Sequence, residues 1–218
     1  LFRPHFRRGE LPRLRRGRLS GARPGRFITL EGGEGAGKTT QTRLLAAYLQ
    51  ARGYRTLETR EPGGAPGADR IRALLLAAAP ERWDALTEAL LHTAARREHL
   101  VARVWPALAE GRMVICDRFF DSTLAYQGYG QGLDRATIAQ LTRLAVGDFA
   151  PDLTLVLDQP AEAGLARVTS RGEMTTRYER MDRDFHERVR QGFLDIARGA
   201  PERCVVIDAT ADVDTVAQ

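Results

Sequence analysis

The sequence predicts an α/β fold in which helices cover both faces of one five-stranded parallel sheet. Three observations lead there. Short apolar runs alternate with stretches of helical period, the pattern of strands joined by crossover helices. Three of those runs end at an aspartate, Asp117, Asp158 and Asp208, as expected of buried strands whose C-terminal tips open onto a site. A glycine-rich loop, Gly32-Gly33-Glu34-Gly35-Ala36-Gly37-Lys38-Thr39, separates the first apolar run from the first helical stretch.

Taken in order, residues 27–30 form the first strand, and residues 39–51 a helix with Leu44, Leu45, Tyr48 and Leu49 on one face and Gly53 closing its C-terminus. Residues 54–59 read as the second strand, 60–67 as a loop rich in glycine and proline, and 68–79 as a helix. Residues 83–110 form a longer helix, with Leu86, Leu90, Ala94, Val101, Val104 and Leu108 on its apolar face. Strands follow at 113–116, 153–157 and 204–207, with helices at 134–146, 160–170 and 182–198.

A chain of 218 residues supports one domain with a substantial core and no second one. No apolar run approaches the roughly 18 residues of a membrane span. Cys116 and Cys204 stand far apart without neighbouring histidines, so neither a disulfide framework nor a zinc site is expected, and a reducing cytoplasm fits best. The net charge of +5 suggests a nucleic-acid partner until it is located along the chain. Residues 1–25 hold eight arginines and one acid, a surplus of seven, which leaves the rest of the chain two charges negative. That segment reads as a disordered basic extension, and nucleic-acid binding by it is not expected. The folded domain is placed at 26–218.

The loop at 32–39 satisfies G-x-x-x-x-G-K-[ST] between a strand and a helix, the context in which the motif cradles phosphates. Its glycines let successive N–H groups turn inward, and the helix N-terminus adds its positive dipole end. Lys38 is placed to reach the β and γ phosphates, and the Thr39 hydroxyl to ligate Mg²⁺. Lys38 is also the only lysine in the chain, which excludes the lysine-dependent guanine motif of GTPases. Asp117 and Arg118 follow at a strand end, the carboxylate suited to a Mg²⁺-bound water and the guanidinium to a phosphate. Arg60 leaves the second strand at the same edge of the sheet. Residues 121–128 supply hydroxyl, amide and aromatic groups of the kind that read a nucleobase. Arg167, Arg171, Arg177 and Arg180 surround Gly172 in a polar stretch, about 167–181, that reads as a short basic lid.

These motifs together, with T-R-E-P-G-G at 59–64, A-A-R-R-E-H-L at 94–100 and D-R-F-F-D-S-T-L-A-Y-Q-G at 117–128, resemble the bacterial thymidylate kinases over residues 26 to about 210. The resemblance implies a P-loop nucleoside monophosphate kinase domain, ATP and dTMP as substrates, Mg²⁺ as cofactor and a homodimer built on the long helix that begins near Trp83. It implies that residues 32–40, from Gly32 through Ala36 to Thr40, hold the ATP phosphates. Arg60 and Arg118 would hold the dTMP phosphate, Arg96 the thymine O4 edge, and Thr123 and Gln127 the remaining polar edge. Tyr126 would crowd the 2′ position, Glu34 would meet the 3′-hydroxyl and metal-bound water, and Arg72 would be a further nucleotide-site arginine. The groups expected to act on the transferring phosphoryl are Lys38, Arg118 and Glu34, with lid arginines Arg171 and Arg167; Arg177 stands behind them.

Gly35 occupies a position where some members of that family carry an arginine, so the lid is expected to supply it. A second departure is His92, where the family usually stacks a phenylalanine on thymine; a neutral imidazole there predicts loss of dTMP affinity below about pH 6.5. The chain also stops at Gln218, where the family normally continues a last helix. Two other readings stay open at this level: a related P-loop kinase for another nucleoside monophosphate or a deoxynucleoside, and a nucleic-acid-binding protein with the loop as a switch.

Overall fold

A computed structural model describes residues 25–76, 83–170, 172 and 178–218. The basic extension, the end of the helix expected at 68–79 and the lid residues Arg171 and Arg177 lie outside them. Five strands are described: β1 (Arg26–Glu31), β2 (Thr56–Arg60), β3 (Met113–Asp117), β4 (Leu153–Asp158) and β5 (Cys204–Asp208). All pair in parallel, in the order β2-β3-β1-β4-β5, and each expected strand is present with its bounds shifted by at most two residues. Because β1 lies between β3 and β4, the chain leaves β1 at the point where strand order reverses, the place at which open α/β sheets bind ligands.

Alternation along the strands assigns the two faces. Phe27, Val114 and Cys116 pack with Leu57, Leu100, Val104 and Phe119 on one side, while Leu30, Ile115 and Leu157 pack with Ala36 and Ala46 on the other. The second face is covered by α1 (Lys38–Ala51), whose C-terminus closes at Arg52 with Gly53 left-handed. Next come α2 (Pro66–Leu76) and α3 (Ala85–His99), the latter capped by Asp84, whose carboxylate accepts from the Leu86 and Thr87 N–H groups.

The long helix expected at 83–110 is interrupted. A π-helical stretch (Leu100–Val104) joins α3 to α4 (Trp105–Ala109). Pro106 explains the change: it has no N–H to donate and its ring crowds the carbonyl one turn back, so the preceding turn widens. A second π stretch (Leu124–Gly130) follows α5 (Phe120–Thr123) and packs on α8 (Arg183–Gly199). Between them, α6 (Arg135–Val146) and α7 (Ala161–Ser170) complete the cover, and α9 (Val213–Ala217) ends the chain. Asp134 and Asp182 cap α6 and α8 through the N–H groups of Thr137 and Phe185. Among the described residues, no helix is long and apolar enough to cross a membrane.

Candidate active site

The glycine loop curls between β1 and α1, and Lys38 folds back over it. Its ammonium donates to the carbonyls of Gly32 and Gly33 at 3.1 and 2.6 Å and is 7% exposed. Burial and the nearby Arg118 charge push Lys38 down to about 8, against the pull of Glu34, Asp117 and Glu31. At the start of α1 the Thr39 hydroxyl donates to the Asp117 carboxylate at 2.5 Å. One hydroxyl and one carboxylate beside a phosphate loop form a hard oxygen pair, which fits Mg²⁺ because that ion keeps several waters and draws other ligands from phosphates. Thr40 continues α1, half-buried.

Gly35 has a neighbour that sequence reading could not supply. It adopts φ 66°, and a Cβ built there would stand 2.1 Å from the carbonyl oxygen of Gly164 in α7; a Cβ on Gly164 would meet the Glu34 oxygen equally closely. Two backbones touch here, so an arginine at position 35 would have to displace α7.

Arg118 is the described non-glycine residue with positive φ, 71°, a conformation that non-glycine residues hold only under constraint. The turn aims its guanidinium back at the loop. It donates to the Gly32 carbonyl (3.1 Å), the Ser122 hydroxyl (3.2 Å), the Glu34 carboxylate (3.1 Å) and the Tyr126 hydroxyl (3.1 Å). Tyr126 in turn donates to Glu34 at 2.7 Å. Burial works to raise the Glu34 carboxyl, but Arg118, Lys38 and the Tyr126 hydrogen bond together hold it below the usual range. Beneath the turn, Glu31 accepts from the Phe119 N–H and the Ser122 hydroxyl at 2.8 and 2.6 Å. Burial and the charge of Asp121 push Glu31 up to about 8, against the hydrogen bond from Ser122, the charge of Arg118 and the Phe119 N–H.

Past Arg118 opens a cavity of about 660 Å³, mouth included. Its wall brings together Glu34, Arg72, His92, Arg96, Arg118, Thr123, Tyr126 and Gln127, so eight of the nine residues expected at the acceptor meet in one place. The ninth, Arg60, stands exposed at the β2 tip and opposite Asp117 in register. Burial and the Arg60 charge hold Arg72 below its ordinary value, and Arg72 donates to the Pro62 carbonyl at 2.7 Å. Two guanidinium groups at such quarters favour a bound dianion.

The far wall is built around Arg96, 2% exposed. Its Nε donates to Glu61 at 2.7 Å, and its Nη2 to the Phe119 carbonyl and the Thr123 hydroxyl at 3.0 and 3.1 Å. The Gln127 amide donates to Glu88 and to the Tyr178 hydroxyl, both at 3.1 Å. His92 Nε2 lies 3.1 Å from the same Tyr178 hydroxyl. Burial and the charges of Arg96, Arg118 and Arg72 push His92 down to about 3. That direction argues against the dependence near pH 6.5 expected from an ordinary histidine.

Ser122, from the run at 121–128, lines the cavity too, as do Glu61, Phe119 and Tyr178, which were not singled out by sequence. Glu61 was within reach, lying inside the quoted T-R-E-P-G-G segment; Tyr178 arrives from a distant turn (Tyr178–Arg180) that no local pattern connects to the cavity. The three strand-end aspartates part company. Asp117 meets the phosphate loop, whereas Asp158 pairs with Arg190 at 2.8 Å and Asp208 accepts from Thr210. Arg167 is no free arm of a lid. It sits in α7 and donates to Gln159 (2.7 Å) and to the carbonyls of Ala209 (3.2 Å) and Thr210 (3.1 Å) beyond β5.

A phosphate loop at a sheet switch point, joined through one strained arginine to a cavity with nucleotide-sized walls, defines a P-loop nucleotide kinase. The family model described as thymidylate kinase matches residues 30–218. Thymidylate kinases of Caulobacter vibrioides and Geobacter sulfurreducens are 53% and 52% identical to the chain over 192 and 198 residues. Each match spans 88% of this chain, and 92% and 93% of the relative. The solved thymidylate kinase of Ehrlichia chaffeensis superposes with a TM-score of 0.72 at 42% identity, covering 89% of this chain and 94% of that one. The chain belongs to the thymidylate kinase family.

Proposed function

We propose that the chain transfers the γ-phosphoryl group of ATP to the 5′-phosphate of dTMP, giving ADP and dTDP. The observation that carries this is Arg118: one guanidinium touches the Gly32 carbonyl of the phosphate loop and lines the acceptor cavity, so donor and acceptor phosphates meet across it. Catalysis of this kind needs positioning and charge neutralisation, with no protein nucleophile. The backbone of residues 32–40 and the Lys38 ammonium bind the donor phosphates, while Arg60, Arg72 and Arg118 bind and orient the acceptor phosphate. Arg96, Thr123 and Gln127 face the base, and His92 borders it. Glu34, kept ionised by Arg118 and Lys38, accepts from the sugar hydroxyl, and Tyr126 closes the space beside it.

Thr39 and Asp117 would hold Mg²⁺, which would neutralise charge on the donor phosphates. The transition-state arginine is assigned to the lid, with Arg171 first and Arg177 behind it. The bonds Arg167 makes to Gln159 and beyond β5 support a role at the donor end of the sheet. A homodimer is supported by an exposed apolar stripe, Leu86, Leu90 and Val101, along α3 and the π stretch after it. Two free, buried cysteines suit a reducing compartment, and the cytoplasm is the proposed location.

A coupled ADP-release assay with Mg²⁺ and ATP, offering dTMP, dUMP, dCMP, dGMP, UMP and thymidine, tests the reading. Preference for dTMP is expected. Turnover of thymidine or dCMP without dTMP would keep the phosphate chemistry and overturn the acceptor assignment.

A further inference from the structure

The last residue of β1 is a buried acid to which neither the donor nor the acceptor assignment gives a part. Glu31 is fully buried and stands immediately before Gly32, where the phosphate loop begins. β1 and β3 stay in register as far as Leu30 and Asp117, and the Arg118 N–H still reaches the Leu30 carbonyl at 2.9 Å. There the ladder stops. Arg118 turns at φ 71° and carries the chain off the sheet towards α5, so the next N–H, that of Phe119, has no strand to pair with. Glu31 takes it: Oε1 accepts from the Phe119 N–H at 2.8 Å, and Oε2 bonds the Ser122 hydroxyl at 2.6 Å. A side chain thus supplies what the strand backbone no longer can.

The two bonds bracket Arg118. One grips the residue after it, and the other holds Ser122, whose oxygen accepts from Arg118 Nη1 at 3.2 Å. The same Nη1 donates to the Gly32 carbonyl at 3.1 Å, and that carbonyl also receives the Lys38 ammonium at 3.1 Å. The dipeptide Glu31-Gly32 therefore ties the loop lysine, the acceptor-side arginine and the turn that aims it to one point. A left-handed arginine persists only where its surroundings over-determine it. The carboxyl, pushed up to about 8 by burial and the charge of Asp121, keeps both bonds in either state. Ionised, it accepts from both partners; protonated, Oε2 donates to the Ser122 oxygen, which still has a lone pair for Arg118.

We infer that Glu31 is a positioning residue: by clamping Phe119 and Ser122 it holds the strained Arg118 turn and sets the separation of donor and acceptor phosphates, so that its loss impairs transfer and spares ATP binding. This rests on the reading that Arg118 lies between the two phosphates. The contacts that bind ATP, the loop backbone and Lys38, do not pass through the Glu31 side chain. Transfer does depend on it, because a shift of about 1 Å between reacting groups costs about a hundredfold in rate.

The test measures kcat with dTMP, and ATP affinity without dTMP, in the full-length parent, Glu31→Gln, Glu31→Leu and Ser122→Ala. Glu31→Leu should lower kcat about a hundredfold while the Kd for ATP stays within about threefold of the parent. Glu31→Gln repeats the protonated pattern, its amide oxygen facing Phe119 and its amide N–H facing Ser122, and should recover kcat to about a fifth of the parent or better. Both variants remove the same charge, so the gap between them reads the hydrogen bonds alone. Ser122→Ala cuts one arm of the clamp and should lower kcat about fivefold, the scale of one hydrogen bond, with ATP affinity held. A folded Glu31→Leu enzyme with parental kcat overturns the assignment, as does Glu31→Gln as damaged as Glu31→Leu, or ATP affinity falling in step with kcat. Should Glu31→Leu not fold by circular dichroism, Ser122→Ala decides, and parental kcat in it overturns the clamp. A parent that transfers nothing to dTMP would instead remove the reaction reading itself, a failure seen before any substitution is made.

Discussion

Burial and neighbouring arginines push both His92 and Lys38 down, with carboxylates opposing the shift only at Lys38, and each consequence can be measured. His92 borders Arg72, Arg96 and Arg118, so protonating it would add a fourth cation to one wall. Its folded value of about 3 lies below the unfolded value near 6.5. The unfolded chain therefore takes up a proton that the folded chain refuses, and His92 costs stability as pH falls from 6.5 towards 3. His92→Phe should flatten that acid loss in urea titrations, while KM for dTMP in parent and variant should follow one pH curve between 5 and 8. A divergence near 6.5 would mean that the ring titrates normally. Lys38 is lowered to about 8, so ATP affinity should fall as pH rises through that value, because the neutral amine no longer attracts phosphate. Lys38→Ala should lower kcat by about a hundredfold or more, the scale of one lost donor to transferring charge, and should remove the alkaline limb of the ATP profile.

Among elements, the contact of Gly35 with Gly164 ties the phosphate loop to α7 without a side chain between them. Gly35→Ala places a methyl at φ 66° against backbone 2.1 Å away. Overpacking and left-handed strain together should cost about 2–4 kcal/mol, read as a fall in Tm of several degrees and a larger loss of kcat. A variant with parental Tm would mean that α7 yields freely. The strands were legible because two-sided burial writes continuous apolar runs, and the close of α1 at Gly53 because a left-handed residue past a helix end favours glycine. The two π stretches were not legible. Widening a turn leaves the apolar face almost unchanged in sequence, and the second stretch buries Tyr126 and Gln127 as an α-helix could also do.

For the molecule as a whole, what the sequence could reveal depended on whether a role is local. The phosphate loop, Asp117-Arg118 and the residues from Thr123 to Gln127 each combine motif and position within a few residues, so they could be read in advance. Glu61 and Tyr178 act through partners 35 and 51 positions away, Arg96 and Gln127, and such pairings are set only by the folded chain. Asp158 and Asp208 show the converse: strand-end carboxylates that look alike in sequence were drawn to Arg190 and Thr210. Removing residues 1–24 should leave ADP release with dTMP within about twofold of the parent, since the first strand begins at Arg26 and the residues that line the acceptor cavity all follow it. Loss of activity on truncation would give the arginine-rich segment a part in catalysis.

The burial of Lys38 under the Gly32 and Gly33 carbonyls has a practical consequence. Because no other lysine exists, the protein has a single ε-amine, and that amine lies inside the nucleotide site. Amine-directed acylation beyond the α-amino group, whether from a reagent or a metabolic thioester, becomes a direct count of unoccupied phosphate loops. The same chemistry that decorates the surface of most proteins harmlessly would here switch off one molecule for every side-chain adduct formed.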